Sequence, residues 1–147
     1  MANGLVKSPF TIDKNTDGVT FLSADIVTAT TWQTISSYDV PLGTAIEILP
    51  TNYHFGDLQT TGGTAITAGS ARILKQNANG TESRELWQGS AAIFKDIGDK
   101  LQRPSINIPV VVNSSQKIVV QVINMGTTLD SVLSNYYIEC QQVYEEI

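Results

Sequence analysis

Apolar and polar residues alternate over three successive segments near the end of the chain. The apolar positions of the first two segments are Ile106, Ile108, Val110 and Val112, and then Ile118, Val120 and Val122. In the third segment, Tyr136, Ile138, Cys140 and Tyr144 share one face, and Glu139, Gln141 and Glu145 share the other. Alternation with period two, bounded by Pro, Asn and Ser, predicts strands that each bury one face. Three such strands in succession predict an antiparallel, sandwich-like core.

Shorter segments earlier in the chain repeat this pattern. The pattern over residues 19–28 and 31–40 predicts two strands, and the second places Trp32, Tyr38 and Val40 on one face, which favours a core position for Trp32. A turn at residues 41–43 leads to a strand that carries Ile46 and Ile48. Asn79-Gly80 marks the turn of a hairpin built from ARILKQ and TESRELWQ. The Gly- and Thr-rich residues 53–70 predict a long loop, and KDIGDKL predicts one helical turn.

These elements predict an all-β fold, an antiparallel two-sheet sandwich that is best described as a jelly roll. An immunoglobulin-like sandwich is the alternative, although the Cys…Trp…Cys spacing of that fold is missing. The strand pattern predicts a single β-sandwich domain over residues 19–147. Residues 1–18 predict an extended N-terminal arm, for which Leu5, Val6, Phe10 and Ile12 are the apolar anchors.

The composition and net charge of the chain argue against some classes of binding partner. The 147 residues are long enough for one domain with its own core, and only 16% of them are charged. A net charge of −5 opposes binding to nucleic acid and to anionic membranes, and no apolar run is long enough to span a bilayer. The first residues lack the pattern of a signal peptide. We therefore expect neither a nucleic-acid nor a membrane partner.

One segment resembles a metal-binding loop. Asp13, Asn15 and Asp17, followed by Gly18, match the opening of a calcium loop in which alternating oxygen side chains surround the cation. The match fails at the twelfth position, where Ala24 stands in place of the closing Glu. An Asp-Gly hairpin turn is the simpler interpretation, and calcium is a weak alternative.

The sequence predicts no catalytic residues, no cofactor and no enzyme. His54 is the only histidine and Cys140 the only cysteine, and Cys140 lies on the apolar face of a predicted strand, as a buried thiol would. The carboxylate pairs Glu82/Glu85 and Asp96/Asp99 lie in polar stretches, where the burial that produces a working acid is not expected. Trp87 and Tyr53 are the aromatic residues that could bind a ligand or lie in an interface. A carbohydrate-binding or host-adhesion module is therefore the alternative to a purely structural protein.

The segments WQTISSYDVPLGT (Trp32 to Thr44) and IPVVVNSSQKIVVQVIN (Ile108 to Asn124) resemble small jelly-roll proteins of tailed bacteriophages. These are decoration or cement proteins on the outside of the icosahedral capsid, and related sandwiches occur in head fibres and receptor-binding parts. The resemblance implies a homodimer or homotrimer that is made in the host cytoplasm, binds the major capsid protein from outside and stabilises the shell. The predicted arm would then supply contacts to the capsid or to a neighbouring subunit.

Overall fold

The structure is a computed structural model that describes residues 5–27, 30–48, 58–63, 66, 68–91 and 110–145, with Trp87 and Glu145 described by their backbone alone. Within these residues the secondary structure is almost entirely β. The strands are β1 Leu5–Ile12, β2 Val19–Phe21, β3 Ile26–Val27, β4 Gln33–Asp39, β5 Thr44–Ile48, β6 Ser70–Asn77, β7 Arg84–Ser90, β8 Val110–Asn113, β9 Gln116–Ile123, β10 Thr128–Leu129 and β11 Ile138–Glu145. In the same residues, no helix is long and apolar enough to cross a membrane.

Two antiparallel sheets contain most of these strands. Sheet one has the order β1-β11-β5-β8, and sheet two has the order β2-β4-β9-β6-β7. A third, two-stranded sheet joins β10 to β3. Five of the pairings are nested in sequence, because β6 pairs with β7, β5 with β8, β4 with β9, β3 with β10 and β1 with β11. Strands nested in this way form one long hairpin that is rolled into a sandwich, which is the jelly roll. The predicted all-β sandwich is confirmed.

The core lies between the two sheets and follows the predicted alternation. Ile46, Ile48, Val112, Ile118 and Val122 are all buried, so the inward positions of β5, β8 and β9 are those that the sequence indicated. The predicted hairpin is also confirmed, since β6 and β7 pair around a turn in which Gly80 has a φ of +83°. Positive φ at that position carries no steric cost for glycine.

Strand β4 differs from the predicted pattern at one point. A β-bulge between Thr34 and Ser36 shifts the register with β9, and both Ile35 and Ser36 are buried beside it. A bulge places two residues opposite one, so period-two alternation fails there. Trp32, which even-position alternation assigned to the core, lies before the bulge and is only half-buried.

The predicted strand over residues 19–28 is divided in two. Strand β2 ends at Phe21 and β3 begins at Ile26, because the chain bends between them. The Asp25 carboxylate accepts hydrogen bonds from the backbone N–H and the hydroxyl of Ser131, at 2.8 and 3.0 Å. These bonds hold the bend against the turn that follows β10.

The segment predicted as an arm contains the first strand of the sandwich. Leu5–Ile12 form β1, which pairs with β11 in unbroken register from Leu5↔Glu145 to Ile12↔Ile138. Within the described residues this segment therefore lies in the sheet rather than extending from it. The alternation of apolar and polar residues in β1 explains this position, since Phe10 packs against the core and Ile12 is fully buried in it.

Several predictions fall outside the described residues. They are the part of the first alternating segment that carries Ile106 and Ile108, the aromatic Tyr53, the histidine His54, the acidic pair Asp96/Asp99 and the helical turn KDIGDKL.

Candidate interaction surfaces

A groove crosses the outer face of sheet one at the end where β1 begins. Its volume is about 410 Å³, and the residues that shape it include Leu5, Lys7, Ala45, Glu47, Val111 and Val143. These residues come from all four strands of sheet one, and on β5 and β8 they alternate with the buried residues Ile46 and Val112. A groove of this size with largely apolar walls suits contact with another apolar surface.

A single ion pair spans the groove. Lys7 Nζ on β1 lies 3.2 Å from Glu47 Oε2 on β5, so the pair crosses over the intervening strand β11. The Lys7 side chain is 49% exposed, whereas that of Glu47 is 16% exposed. The groove thus presents its ammonium group to solvent and keeps the carboxylate beneath it. An exposed pair of this kind adds little to folding stability.

The four residues predicted as contacts divide between surface and core. Leu5 is 69% exposed and lines the groove, and Val6 is half-buried. Phe10 packs against the core with its ring centroid 6.1 Å from that of Tyr38, and Ile12 is fully buried. Of these four residues, Leu5 is the one that the structure places at an exposed surface and in the groove.

Sequence reasoning missed most of the groove. Val111 and Val143 are apolar residues at outward positions of predicted strands, where the pattern calls for polar ones. That mismatch was the available signal for an exposed apolar surface. The pairing that brings Lys7 close to Glu47 could not be read from the sequence, since it depends on strand order.

A polar network occupies the outer face of sheet two. The Arg72 guanidinium lies 4.2 Å from the centroid of the Trp32 ring, and Arg72 Nε donates to Gln121 Oε1 at 2.7 Å. Gln121 Nε2 in turn donates to Thr34 Oγ1 at 3.0 Å. One face of the indole is therefore covered by a cation, which stabilises the stack and leaves that face closed to a sugar ring. The side chain of Trp87 and the whole of Tyr53 lie outside the described residues, so their predicted role in ligand or interface contact stays a prediction.

The candidate calcium residues form a turn between the sheets. Asp13 Oδ1 accepts hydrogen bonds from the Asn15 N–H at 2.8 Å and from the Thr16 hydroxyl at 3.4 Å. Gly18 adopts a φ of +90°, as the predicted turn requires, yet the turn connects β1 in sheet one to β2 in sheet two and is not a hairpin. Asn15 and Asp17 are exposed. Across the described residues no three His, Cys, Asp or Glu side chains are grouped as a metal site would require, and calcium binding by Asp13, Asn15 and Asp17 stays an untested prediction.

The chemically reactive groups of the described core are held neutral. Cys140 is buried, donates its S–H to the Phe10 carbonyl at 3.3 Å, and has its pKa raised to about 12 by burial. Burial likewise raises the pKa values of Tyr38 and Tyr136 to about 12. The predicted burial of Cys140 is confirmed. We expect a thiol in such surroundings to be a poor nucleophile.

The acidic residues of the β6–β7 hairpin are exposed, as predicted. Glu82 Oε2 accepts a hydrogen bond from Asn77 Nδ2 at 2.9 Å, and both Glu82 and Glu85 lie at the surface. A carboxyl group that acts as a general acid is usually held in a buried, apolar site, and neither of these two groups lies in one. The geometry of this pair therefore favours a solvated surface.

The jelly-roll topology and the exposed groove can be compared with known proteins. VP17, a capsid protein of bacteriophage P23-77, superposes on this chain with a TM-score of 0.65 at 9% sequence identity, covering 100% of this chain and 99% of VP17. The chain shares its fold with a phage capsid protein. The VP16–VP17 complex, formed by the two major capsid proteins of the same phage, gives a TM-score of 0.65 at 8% identity over 93% of this chain and 98% of the matched one. No protein-family model and no curated protein matches the sequence. At such low identity the likeness establishes the fold alone.

Proposed function

We propose that this chain is a structural protein of a virus capsid that works by binding and has no turnover. The observation that carries the proposal is the likeness to VP17, which covers 100% of this chain and 99% of VP17. The apolar groove and exposed Leu5 are consistent with a protein that contacts others, since large apolar side chains at the surface often mark interfaces.

The finer assignment that follows from the sequence resemblance is a decoration or cement subunit. In this role the chain binds the major capsid protein from the outside of the shell and stabilises it, and it resides on the exterior of the virion after synthesis in the host cytoplasm. Self-association as a dimer or trimer belongs to the same proposal. An acidic protein of low charge density suits an exterior position better than one facing nucleic acid.

A second assignment is favoured by the structural comparison. The VP16–VP17 complex, whose fold this chain shares, is a complex of the two major capsid proteins of its phage. The chain is therefore also a candidate for a subunit that builds the shell itself. The two assignments differ in a measurable property. A decoration subunit leaves an intact shell behind when it is released, whereas release of a shell subunit opens the particle.

Purified virus particles test first whether the chain is a capsid protein and then whether it is a decoration subunit or a shell subunit. We expect peptide mass spectrometry to find the chain in gradient-purified virions and gold-labelled antibodies against it to mark intact particles. Its absence from particles would overturn the capsid proposal. Stepwise urea treatment followed by electron microscopy then separates the assignments. Intact shells that have lost the chain support decoration, and fragmented shells support a building subunit.

Substitution of Leu5 tests the contact role of the first strand. Truncation of residues 1–10 would remove most of β1 from sheet one, so it would test folding and binding together. Leu5→Ser changes one exposed side chain and leaves the register intact. We expect reduced occupancy on particles with an unchanged thermal midpoint, and full occupancy would contradict a contact role for Leu5.

A further inference from the structure

An exposed apolar tip lies at the opposite end of sheet one from the groove. It consists of Val132 and Leu133, which are 77% and 44% exposed and lie in the turn before β11. The chain reaches β11 at Ile138, which pairs with Ile12, whereas the groove lies near Leu5 at the other end of β1. Eight residues of extended strand separate the two ends by about 23 Å. The same molecule therefore carries an apolar projection and an apolar recess on opposite sides.

The tip is held rigid by hydrogen bonds from several segments. Asp130 Oδ1 accepts from the N–H groups of Val132 and Leu133 at 2.8 and 2.7 Å. Lys14 Nζ donates to the carbonyl oxygens of Val132 and Ser134 at 2.6 and 2.8 Å. An apolar residue in a turn this constrained loses little conformational freedom when it binds, which favours association.

The charged groups at the tip and in the groove differ in their balance. The carboxylates of Asp25 and Asp130 and the single ammonium of Lys14 surround the tip, so its net charge is negative. The groove presents the half-exposed ammonium of Lys7 above the more buried Glu47. Lys7 and Glu47 neutralise each other, but the ammonium is the more exposed of the two, so a negatively charged tip would meet it first, whereas two tips would repel each other.

Three of the four edge strands of the two main sheets, all except β7, oppose the alternative of strand-to-strand association. Edge strand β1 contains Pro9, which has no N–H to donate, and edge strand β2 has three residues. Edge strand β8 has four residues, and Lys75 Nζ already bonds the Val111 carbonyl at 2.7 Å. Lys and Pro at short edges are the features by which sheets avoid pairing with one another.

We propose that the occupant of the groove is the tip of a second copy of this chain, so that copies associate head to tail. This contact rests on the proposed function, because a capsid protein works through contacts with other copies or other capsid proteins. A contact that joins different surfaces of identical subunits is heterologous, and it closes into a ring or continues as an array. Such a contact can be extended without limit, as a shell-forming or shell-covering protein requires.

Paired variants of the full chain test this contact by sedimentation equilibrium. Val132→Asp alters the tip, and Val111→Asp alters the groove at a residue that is 42% exposed. Ser83→Asp is the matched control, because it adds the same charge at an exposed position on the β6–β7 hairpin. We expect wild type and the control to associate with rising concentration, and each of the other variants to bind at least about tenfold more weakly.

Mixing the two variants gives the decisive result. The tip variant keeps an intact groove and the groove variant keeps an intact tip, so an equimolar mixture is expected to form heterodimers and nothing larger. Leu5→Asp repeats the groove test if Val111→Asp lowers the thermal midpoint. A monomeric wild type at all concentrations, association unaffected by the variants, or a mixture that stays monomeric would each overturn the contact. None of these outcomes depends on whether the chain is found in virions, so this contact and the capsid role fail separately.

Discussion

The hydroxyl groups of Ser36 and Tyr136 meet inside the core at 2.6 Å. Ser36 Oγ on β4 donates to the Tyr136 hydroxyl, which belongs to the segment that leads into β11 in the opposite sheet. Both residues are about 1% exposed, so neither hydroxyl has water as an alternative partner. The Tyr136 ring also stacks on Phe21, with 6.0 Å between centroids. This hydrogen bond between hydroxyl groups therefore joins β4 in sheet two to the segment that leads into β11 in sheet one.

Removal of one partner in this pair should destabilise the protein. Tyr136→Phe retains the ring and leaves the Ser36 hydroxyl buried without its partner, so we expect the free energy of unfolding to fall by about 1–3 kcal/mol. Urea denaturation measures the change. The double variant with Ser36→Ala removes both hydroxyls and should be no less stable than Tyr136→Phe alone. Additive losses in this double-mutant cycle would contradict coupling between the two residues.

Alkaline pH should weaken the fold in a defined window. Burial raises the pKa of Tyr136 and of Tyr38 from 10.0 to about 12, and that of Cys140 from 9.0 to about 12. The folded pKa is above the unfolded value for each group, so their contribution is fully present below about pH 9 and is lost as pH rises toward 12. Urea midpoints measured at about pH 8, 9.5 and 10.5 should fall. Tyr136→Phe should show a shallower decline, and equal midpoints at all three values would contradict the prediction.

The thiol of Cys140 should react only after unfolding. It is 4% exposed and bonded to the Phe10 carbonyl, and its raised pKa keeps it protonated near neutral pH. A thiolate is the reactive form, so a chromogenic disulfide reagent at about pH 8 should label the folded protein far more slowly than the protein in urea. Because Cys140 is the sole cysteine, Cys140→Ala supplies a blank. Rapid labelling of the folded chain would contradict burial.

Local pattern was sufficient to predict the sandwich but not the exceptions to it. Strands β5, β8 and β9 bury the predicted residues because alternation and burial follow from the same pleat. The bulge beside Ser36 and the bend held by Asp25 broke the pattern, and both depend on contacts with β9 or with Ser131 that are distant in sequence. That the segment predicted as an arm, residues 1–18, contains a strand of sheet one was not evident for a similar reason, since β1 is held by pairing with β11, near the other end of the sequence.

The candidate surfaces were even less accessible to sequence reasoning. Lys7, Glu47 and Val111 are more than thirty positions apart, and strand order alone brings them to one groove. An exposed valine in a turn, such as Val132, carries no signal of its own. What distinguishes it is the set of bonds from Asp130 and Lys14 that fix the turn, and these become visible only in three dimensions.

Gly69 and Gly43 both have positive φ, but only at Gly69 would a Cβ also collide with neighbouring atoms. Gly69 precedes β6 with a φ of +87°, and a Cβ there would lie 2.6 Å from the Ile123 carbonyl oxygen and 2.8 Å from Met125 Cα. Gly43 has a similar φ of +80° but nothing within 4 Å of a Cβ. Gly43→Ala should therefore show strain alone, a loss of about 1–2 kcal/mol in the free energy of unfolding.

Gly69→Ala should lower the free energy of unfolding markedly more than its control, Gly43→Ala. The atoms that its Cβ would strike include backbone atoms of Ile123, the last residue of β9, and of Met125 just after it, and Ile123 cannot move aside without breaking the pairing of β9 with β6. We expect roughly 1–3 kcal/mol beyond the loss in Gly43→Ala, because overpacking adds to the conformational strain. Urea denaturation of the two variants side by side, with equal slopes, measures the difference. Equal losses would show that the contact between Gly69 and residues 123–125 is looser than the structure indicates.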